Sequence, residues 1–147
     1  MKIKRSASVV WQGGFPAGMG NISTQSGALR SYPYGVASRF EGQPGSNPEE
    51  LIAAAHASCF AMAFALVLGE ARYTPRQLFV SAEVALEQQF NDFEITSVDL
   101  SMRAEIDGID AQTFEQLADQ AKAKCPVSKL LRARITLDAA LASAAAG

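Results

Sequence analysis

Hydrophobic positions follow two different periods along this chain, and between the periodic stretches lies one segment with no polar face. Residues 51–68 carry no charged side chain, and seven of these eighteen are alanine. Asn47 ahead of them is a good N-cap, and Pro48 suits a first helical position, where a missing N–H costs nothing. Glu50 stands three residues after Asn47, the spacing of a capping box, and Glu49 and Glu50 put negative charge at the positive end of the helix dipole. Gly69 offers a left-handed stop. The pattern predicts one helix over residues 47–69, roughly 30 Å long. A helix that is apolar all round must be buried all round. A chain of this size does not cover such a helix alone, so a second copy of the chain is expected to complete the burial.

On either side the pattern shortens. Residues 6–12 and 18–24 read as a hairpin separated by Gly13-Gly14, Ser26-Gly27 as a turn, and residues 28–32 and 38–41 as extended pieces. Residues 42–46 (Gly-Gln-Pro-Gly-Ser) are turn chemistry. After Pro75, Leu78, Val80, Ala82, Val84 and Leu86 fall on one face of a strand with period two. Asn91-Asp92 supplies a turn, and Ile95, Val98, Leu100, Met102, Ala104 and Ile106 form the apolar side of the next strand. Asp107-Gly108 closes it. Asp110 caps a helix whose apolar face is Phe114, Leu117, Ala118 and Ala121, with Lys122 and Lys124 near its C-terminus. Cys125-Pro126 breaks that helix and starts a short one through Leu131. Residues 133–141 give a last strand, and the tail 142–147 is expected to fray. The order is strands, long helix, hairpin, helix, strand: an α+β arrangement in a single domain, 1–147.

Composition narrows the partners. The chain has 147 residues, 48% hydrophobic and 19% charged, with a net charge of −2. With no basic run, neither nucleic acid nor an anionic membrane surface is expected as the main partner. The apolar helix reads as a core helix rather than a membrane span, because alanine, His56, Ser58 and Cys59 dilute it and glutamates lie close to its ends. No apolar run follows the basic start Lys2-Ile3-Lys4-Arg5, so no signal peptide is read and the expected location is cytoplasmic. Two cysteines in a reducing compartment are not expected to form a permanent staple.

Those two cysteines are the candidate chemistry. If Pro126 opens a helix, Cys125 is its N-cap and its sulfur faces the free N–H groups of Val127 and Ser128, which favours a thiolate. The same residues also suit a plain helix junction. Cys59 sits mid-helix, where burial raises a thiol pKa, and without a cation to reach it a cysteine there is a small hydrophobe. Arg39 is a candidate, because the loop after it leads directly into the helix. His56 shares a helix face with Cys59. A Cys-His nucleophile pair is conceivable there, and a satisfied core histidine is the plainer reading. Two cysteines and one histidine fall short of a structural zinc set, and no metal or organic cofactor is expected. Glu49 lies ten residues before Cys59, about 15 Å along a helix. It cannot touch Cys59 of its own chain, so a role at the thiol requires a partner subunit or a broken helix.

Pro33-Tyr34-Gly35, Ser38-Arg39-Phe40-Glu41-Gly42, Asn47-Pro48-Glu49-Glu50-Leu51-Ile52, Ala54-Ala55-His56-Ala57-Ser58-Cys59-Phe60 and Cys125-Pro126-Val127-Ser128 resemble the osmotically inducible protein C (OsmC) and organic hydroperoxide resistance family, the OsmC branch in particular. The resemblance covers nearly the whole chain. It implies a cysteine-based peroxidase that prefers organic hydroperoxides, active in oxidative or osmotic stress, built as an intertwined homodimer with antiparallel sheets wrapped around long central helices. It implies Cys59 as the peroxidatic thiol, Cys125 as the resolving thiol, and Arg39 and Glu49 as the charged pair of the site. The sister branch takes its arginine from an earlier loop; here residues 13–20 contain none, which favours Arg39. In that branch the reductant is a lipoyl dithiol, so a dithiol is the expected donor.

Thiol chemistry then supplies a mechanism: attack on the outer peroxide oxygen, a sulfenic acid at Cys59, condensation with Cys125, and reduction by the dithiol. Phe60, Met62, Ala63 and Leu66 are expected to offer an apolar wall to the substrate. Glu49 of one chain is expected beside the Arg39–Cys59 site of the other. Two other classes fit the same residues: a non-catalytic module binding an apolar ligand, and a Cys-His hydrolase with His56 as base.

Overall fold

The computed structural model describes residues 1–142 and divides the chain into two compact units, Met1–Leu51 and Ile52–Gly147. Residues 143–147 lie outside the description, and with them most of the tail expected to fray.

In the first unit, β1 (Ala7–Gln12), β2 (Met19–Thr24) and β3 (Tyr32–Gly35) form an antiparallel sheet in that order. Trp11 lies opposite Gly20, and Gly20 opposite Tyr34. A Cβ at Gly20 would run into the Tyr34 ring. The bare glycine lets the Trp11 and Tyr34 rings meet over it, centroids 5.7 Å apart. Residues 28–32, expected to be extended, form bends except for Tyr32. Residues 38–41, also expected to be extended, belong mostly to a short helix, α1 (Val36–Phe40). Local hydrogen bonding explains that difference. The Ser38 hydroxyl accepts from the Gly35 N–H at 2.9 Å and donates toward the carbonyls of Gly35 and Ser46, which closes a helical turn.

The long helix, α2 (Pro48–Glu70), starts as its caps predict: Asn47 Oδ1 accepts from the Glu50 N–H at 2.8 Å. The Glu50 carboxylate does not complete a capping box, because it accepts from Ser46 Oγ. The far end differs from expectation. Gly69 is helical, and the left-handed residue is Arg72, at φ 68°. Tyr73 N–H bonds Leu68 C=O and Arg72 N–H bonds Gly69 C=O, a Schellman closure. Tyr73 packs against the core, and that contact with two backbone bonds offsets the roughly 1 kcal/mol of a left-handed arginine.

In the second unit, β4 (Pro75–Gln89) pairs antiparallel with β5 (Asp92–Ile106) through a tight turn at Phe90-Asn91, one residue earlier than expected. Then come α3 (Ala111–Lys124), α4 (Pro126–Leu130) and β6 (Arg134–Leu141). β6 runs parallel to β5, so the sheets are not antiparallel throughout. The α3–α4 connection is a crossover that returns the chain to its starting end, and a strand after a crossover runs parallel. Asp110 caps α3 as predicted, accepting from the Thr113 N–H.

The core brings together Phe60, Phe64, Val67 and Leu68 of α2, Leu100, Met102 and Ala104 of β5, and Phe114, Leu117, Ala118 and Ala121 of α3. Phe64 meets Phe114 edge-on at 5.8 Å. Each large side chain so buried contributes roughly 1.5–3 kcal/mol. The spacing 60, 64, 67, 68 is one helical stripe. Although α2 is long and apolar enough to cross a membrane, this stripe makes it a core helix. It is not buried all round within the chain. Met62 is 76% exposed and Leu66 62%, on a second apolar stripe.

Candidate active site

Cys59 and Cys125 come together in the second unit, both as free thiols. Cys59 is half-buried in the middle of α2, and Cys125 is fully buried where α3 meets α4. Pro126 drives the residue before it out of the helical region, and Cys125 sits at φ −59°, ψ 119°. It ends one helix and begins the next: its N–H bonds Ala121 C=O, and its C=O accepts from Lys129 N–H.

Each cysteine acts on the proton affinity of the other, and their surroundings act in opposite directions. Burial works against the Cys125 thiolate. It is outweighed by the Ser128 N–H, the Ser128 hydroxyl, the Cys59 thiol and the Val127 N–H, so the Cys125 pKa falls below the ordinary thiol range. At Cys59, burial raises the pKa, the Val127 N–H opposes it, and the adjoining Cys125 raises it further. Of the pair, Cys125 carries the thiolate more readily.

His56 is fully buried one turn before Cys59. Its Nε2 lies 2.8 Å from Ser128 Oγ, and its Nδ1 has no hydrogen-bond partner among the described residues. Burial lowers its pKa and keeps the ring neutral. Neither ring nitrogen bonds a thiol, so the Cys-His pair of a hydrolase is not formed. The satisfied core histidine is only half realised, since one nitrogen is orphaned.

Arg39 and Glu49 come together in the first unit. Arg39 Nε and Nη2 donate to the two Glu49 carboxylate oxygens at 3.2 and 2.7 Å, a fork-to-fork pair. The Glu49 side chain is 11% exposed and the Arg39 side chain 32%. The pair forms within one chain, which corrects the expectation that Glu49 meets Arg39 only across subunits. The physical reason is local: α1 and the loop tied by Ser38 and Ser46 fold Arg39 back over the first turn of α2. Arg39 also stacks over Phe40 at 5.2 Å and lines a pocket of about 230 Å³ with Trp11, Phe15 and Tyr34.

The wall expected around Cys59 is not there as drawn. Phe60 belongs to the packed core, and Met62 and Leu66 face outward. Sequence reasoning missed two things. One is the Ser128 hydroxyl, whose place three residues into a capped helix was the available signal. The other is the aromatic group around Arg39, spread over three elements with no common spacing.

Residues 40–140 match the family described as OsmC-like protein. The chain is 48% identical over 143 residues to peroxiredoxin OsmC of Escherichia coli, covering 97% of this chain and 100% of that one. This chain belongs to the OsmC family. Among solved structures, the organic hydroperoxide resistance protein OhrB of Bacillus subtilis shares 26% identity, with a TM-score of 0.65 over 93% of this chain and 98% of that one. The OsmC-like protein of Mycoplasma pneumoniae, at 13% identity, reaches a TM-score of 0.75 over 96% of this chain and 99% of that one, a likeness of fold alone. The OsmC fold is thus present as two sheets and one long core helix.

Proposed function

We propose that this OsmC-family protein is a thiol peroxidase that reduces organic hydroperoxides to alcohols. The observation that carries the reading is the pair Cys59–Cys125: one half-buried thiol beside one buried, donor-supported thiol in a chain close to a peroxiredoxin. Cys59 is the peroxidatic residue, because a peroxide can meet a half-buried sulfur and not a fully buried one. Its thiolate attacks the outer peroxide oxygen, the O–O bond breaks, the alcohol leaves with a proton, and Cys59 becomes a sulfenic acid. The Cys125 thiolate attacks that sulfur, the S–OH bond breaks, and the hydroxide leaves with a proton as water, forming the disulfide. Two exchanges with an external dithiol return both thiols.

Arg39 is the cation that a buried mid-helix thiol requires, and Glu49 holds it in orientation. Glu49 takes two of the five guanidinium N–H donors and leaves the others for a peroxide oxygen. The aromatic pocket beside Arg39 suits an alkyl or aryl group better than a hydrated peroxide. The whole chain is read as one OsmC-like domain working in the cytoplasm as a homodimer. The exposed Met62–Leu66 stripe supports the dimer, since burying it against a second α2 removes apolar surface from water. The test is peroxide consumption with an organic hydroperoxide and with hydrogen peroxide, using lipoyl and other dithiols as donors. Faster turnover of the organic substrate is expected. No consumption with any dithiol would leave an apolar-ligand-binding module as the better reading.

A further inference from the structure

His56 is the one buried titratable group that the peroxidase cycle does not use, and its contacts lead to the thiol that closes the disulfide. Nε2 lies 2.8 Å from Ser128 Oγ, and the Ser128 hydroxyl acts on the Cys125 sulfur. Imidazole and hydroxyl are in hydrogen-bond contact, and Ser128 stands in the first turn of the helix that Cys125 caps, where its hydroxyl helps to lower the Cys125 pKa. The orphaned Nδ1 fixes the sense of that contact. A buried lone pair without a donor is tolerated more easily than a buried N–H without an acceptor. The ring proton therefore belongs on Nε2, where it is given to Ser128 Oγ. An oxygen that accepts from His56 turns its own hydrogen away, toward Cys125.

We infer that His56 is a positioning residue for the resolving step: it orients the Ser128 hydroxyl as a donor to the Cys125 sulfur. The inference rests on the assignment of Cys125 as the resolving thiol. The step served is Cys59–SOH with Cys125–S⁻ and one proton giving the disulfide and water. The S–S bond forms, the S–OH bond breaks, and the leaving hydroxide takes the proton. His56 neither gains nor loses a proton in this account. The groups acting on Cys125 are Cys59, the Ser128 hydroxyl and the Val127 and Ser128 N–H groups, while Lys124 is engaged with Glu70.

The test separates two phases after a single addition of an organic hydroperoxide: sulfenic acid formation, trapped with a dimedone-type reagent, and disulfide closure, followed by peptide mapping. A donor to the sulfur raises the thiolate fraction more than it lowers thiolate nucleophilicity, and a net effect on closure of up to about tenfold is expected. His56→Leu and Ser128→Ala should each slow closure by about that factor, with the effect on the second phase rather than the first. Combined, they should cost no more than either alone, because they act through one hydroxyl. Ser128→Thr, which keeps the hydroxyl, should restore closure, and His56→Gln, which keeps a donor, should restore part of it. In a Cys59→Ser background, ultraviolet thiolate absorbance should show the Cys125 titration displaced upward in Ser128→Ala and His56→Leu alike. Wild-type closure in both single variants, or additive losses, would overturn the inference. Should His56→Leu fail to fold, the Ser128→Ala and Ser128→Thr pair decides alone. Sulfenic acid at Cys59 in the parent with no Cys59–Cys125 disulfide following it would instead overturn the resolving role itself.

Discussion

The middle of α2 and the α3–α4 junction hold the same side chain, a cysteine, and push it in opposite directions. In mid-helix every backbone N–H is already bonded to a carbonyl one turn back, so Cys59 meets chiefly its own burial, and its pKa rises. At the junction the first N–H groups of α4 have no carbonyl to bond, and without a capping hydrogen bond to the side chain they help to lower the Cys125 pKa despite full burial. Thiol poise here is decided by which backbone donors are unspent. The thiol that a peroxide can reach is the one its own segment leaves unactivated, so activation has to come from a side chain. Cys125 needs no such help beyond its own helix end.

The comparison breaks most severely if the roles are inverted. Cys59→Ser is expected to abolish peroxide consumption. Cys125→Ser is expected to give one sulfenic acid per chain at Cys59 and then stall or over-oxidise. Mass spectrometry of peroxide-treated variants reads both. A Cys59→Ser protein that still consumes peroxide would assign attack to Cys125, and thiolate poise would then outrank access.

The need for a side-chain cation is tested at Arg39. Arg39→Ala is expected to slow attack on peroxide by about 10²–10³-fold, the scale of losing an aligned donor to developing charge. Arg39→Lys should recover part of this, because a lysine cannot hold Glu49 by a fork and donate elsewhere at once. Alkylation rate against pH in a Cys125→Ser background should show the Cys59 pKa rise in Arg39→Ala. An unchanged profile would sharpen the comparison differently, by showing that some other group activates Cys59.

Much of this was legible in the sequence where one residue type has one physical use. Asp110 could only be a cap, Pro126 could only break a helix and leave Cys125 at its start, and 114, 117, 118 and 121 are one helical stripe. What was not legible depended on contacts between segments. Ser38 looked extended until its hydroxyl is seen to bond Gly35 and Ser46. Gly69 looked like the stop until Tyr73 is seen packed on the core. The parallel course of β6 follows from the crossover path, which no local pattern encodes. At the site, the cysteines and the Arg39–Glu49 pair were readable as motifs. The Ser128 hydroxyl was not, because serine at that position also serves a plain helix start.

The two stripes of α2 form a second contrast, one packed within the chain and one left outward. If the outward stripe is the dimer contact, Leu66→Glu or Met62→Glu removes roughly 1.5–3 kcal/mol of burial in each protomer. Counted in both protomers, that is at least a hundredfold in the dimer Kd. Sedimentation at micromolar concentration should show monomer in either variant and dimer in the parent. A parent that is itself monomeric would mean that the stripe has another use.

The smallest effect concerns His56 and the pH dependence of stability, where its pH window separates it from the Asp110 cap. Burial lowers the folded pKa of His56 below its ordinary 6.5, so below that value the unfolded chain binds a proton that the folded chain does not. Stability therefore falls as pH drops from 6.5 toward the folded pKa, by at most about 1.4 kcal/mol per pH unit, and then levels off. Asp110 behaves differently. Its hydrogen bonds from Thr113 lower its pKa below the ordinary 3.8, so its contribution is present above that value and is lost only on further acidification. The His56 window opens at 6.5 and the Asp110 window only at 3.8. Urea midpoints from about pH 7 to about pH 5 should decline in the parent and lie flat in His56→Leu, while Asp110→Ala leaves that decline in place. A flat parent curve would mean that the imidazole takes up its proton as readily in the folded chain as in the unfolded one. The Nε2 proton could then no longer be inferred from the orphaned Nδ1, and the link from His56 through Ser128 to Cys125 would lose its direction.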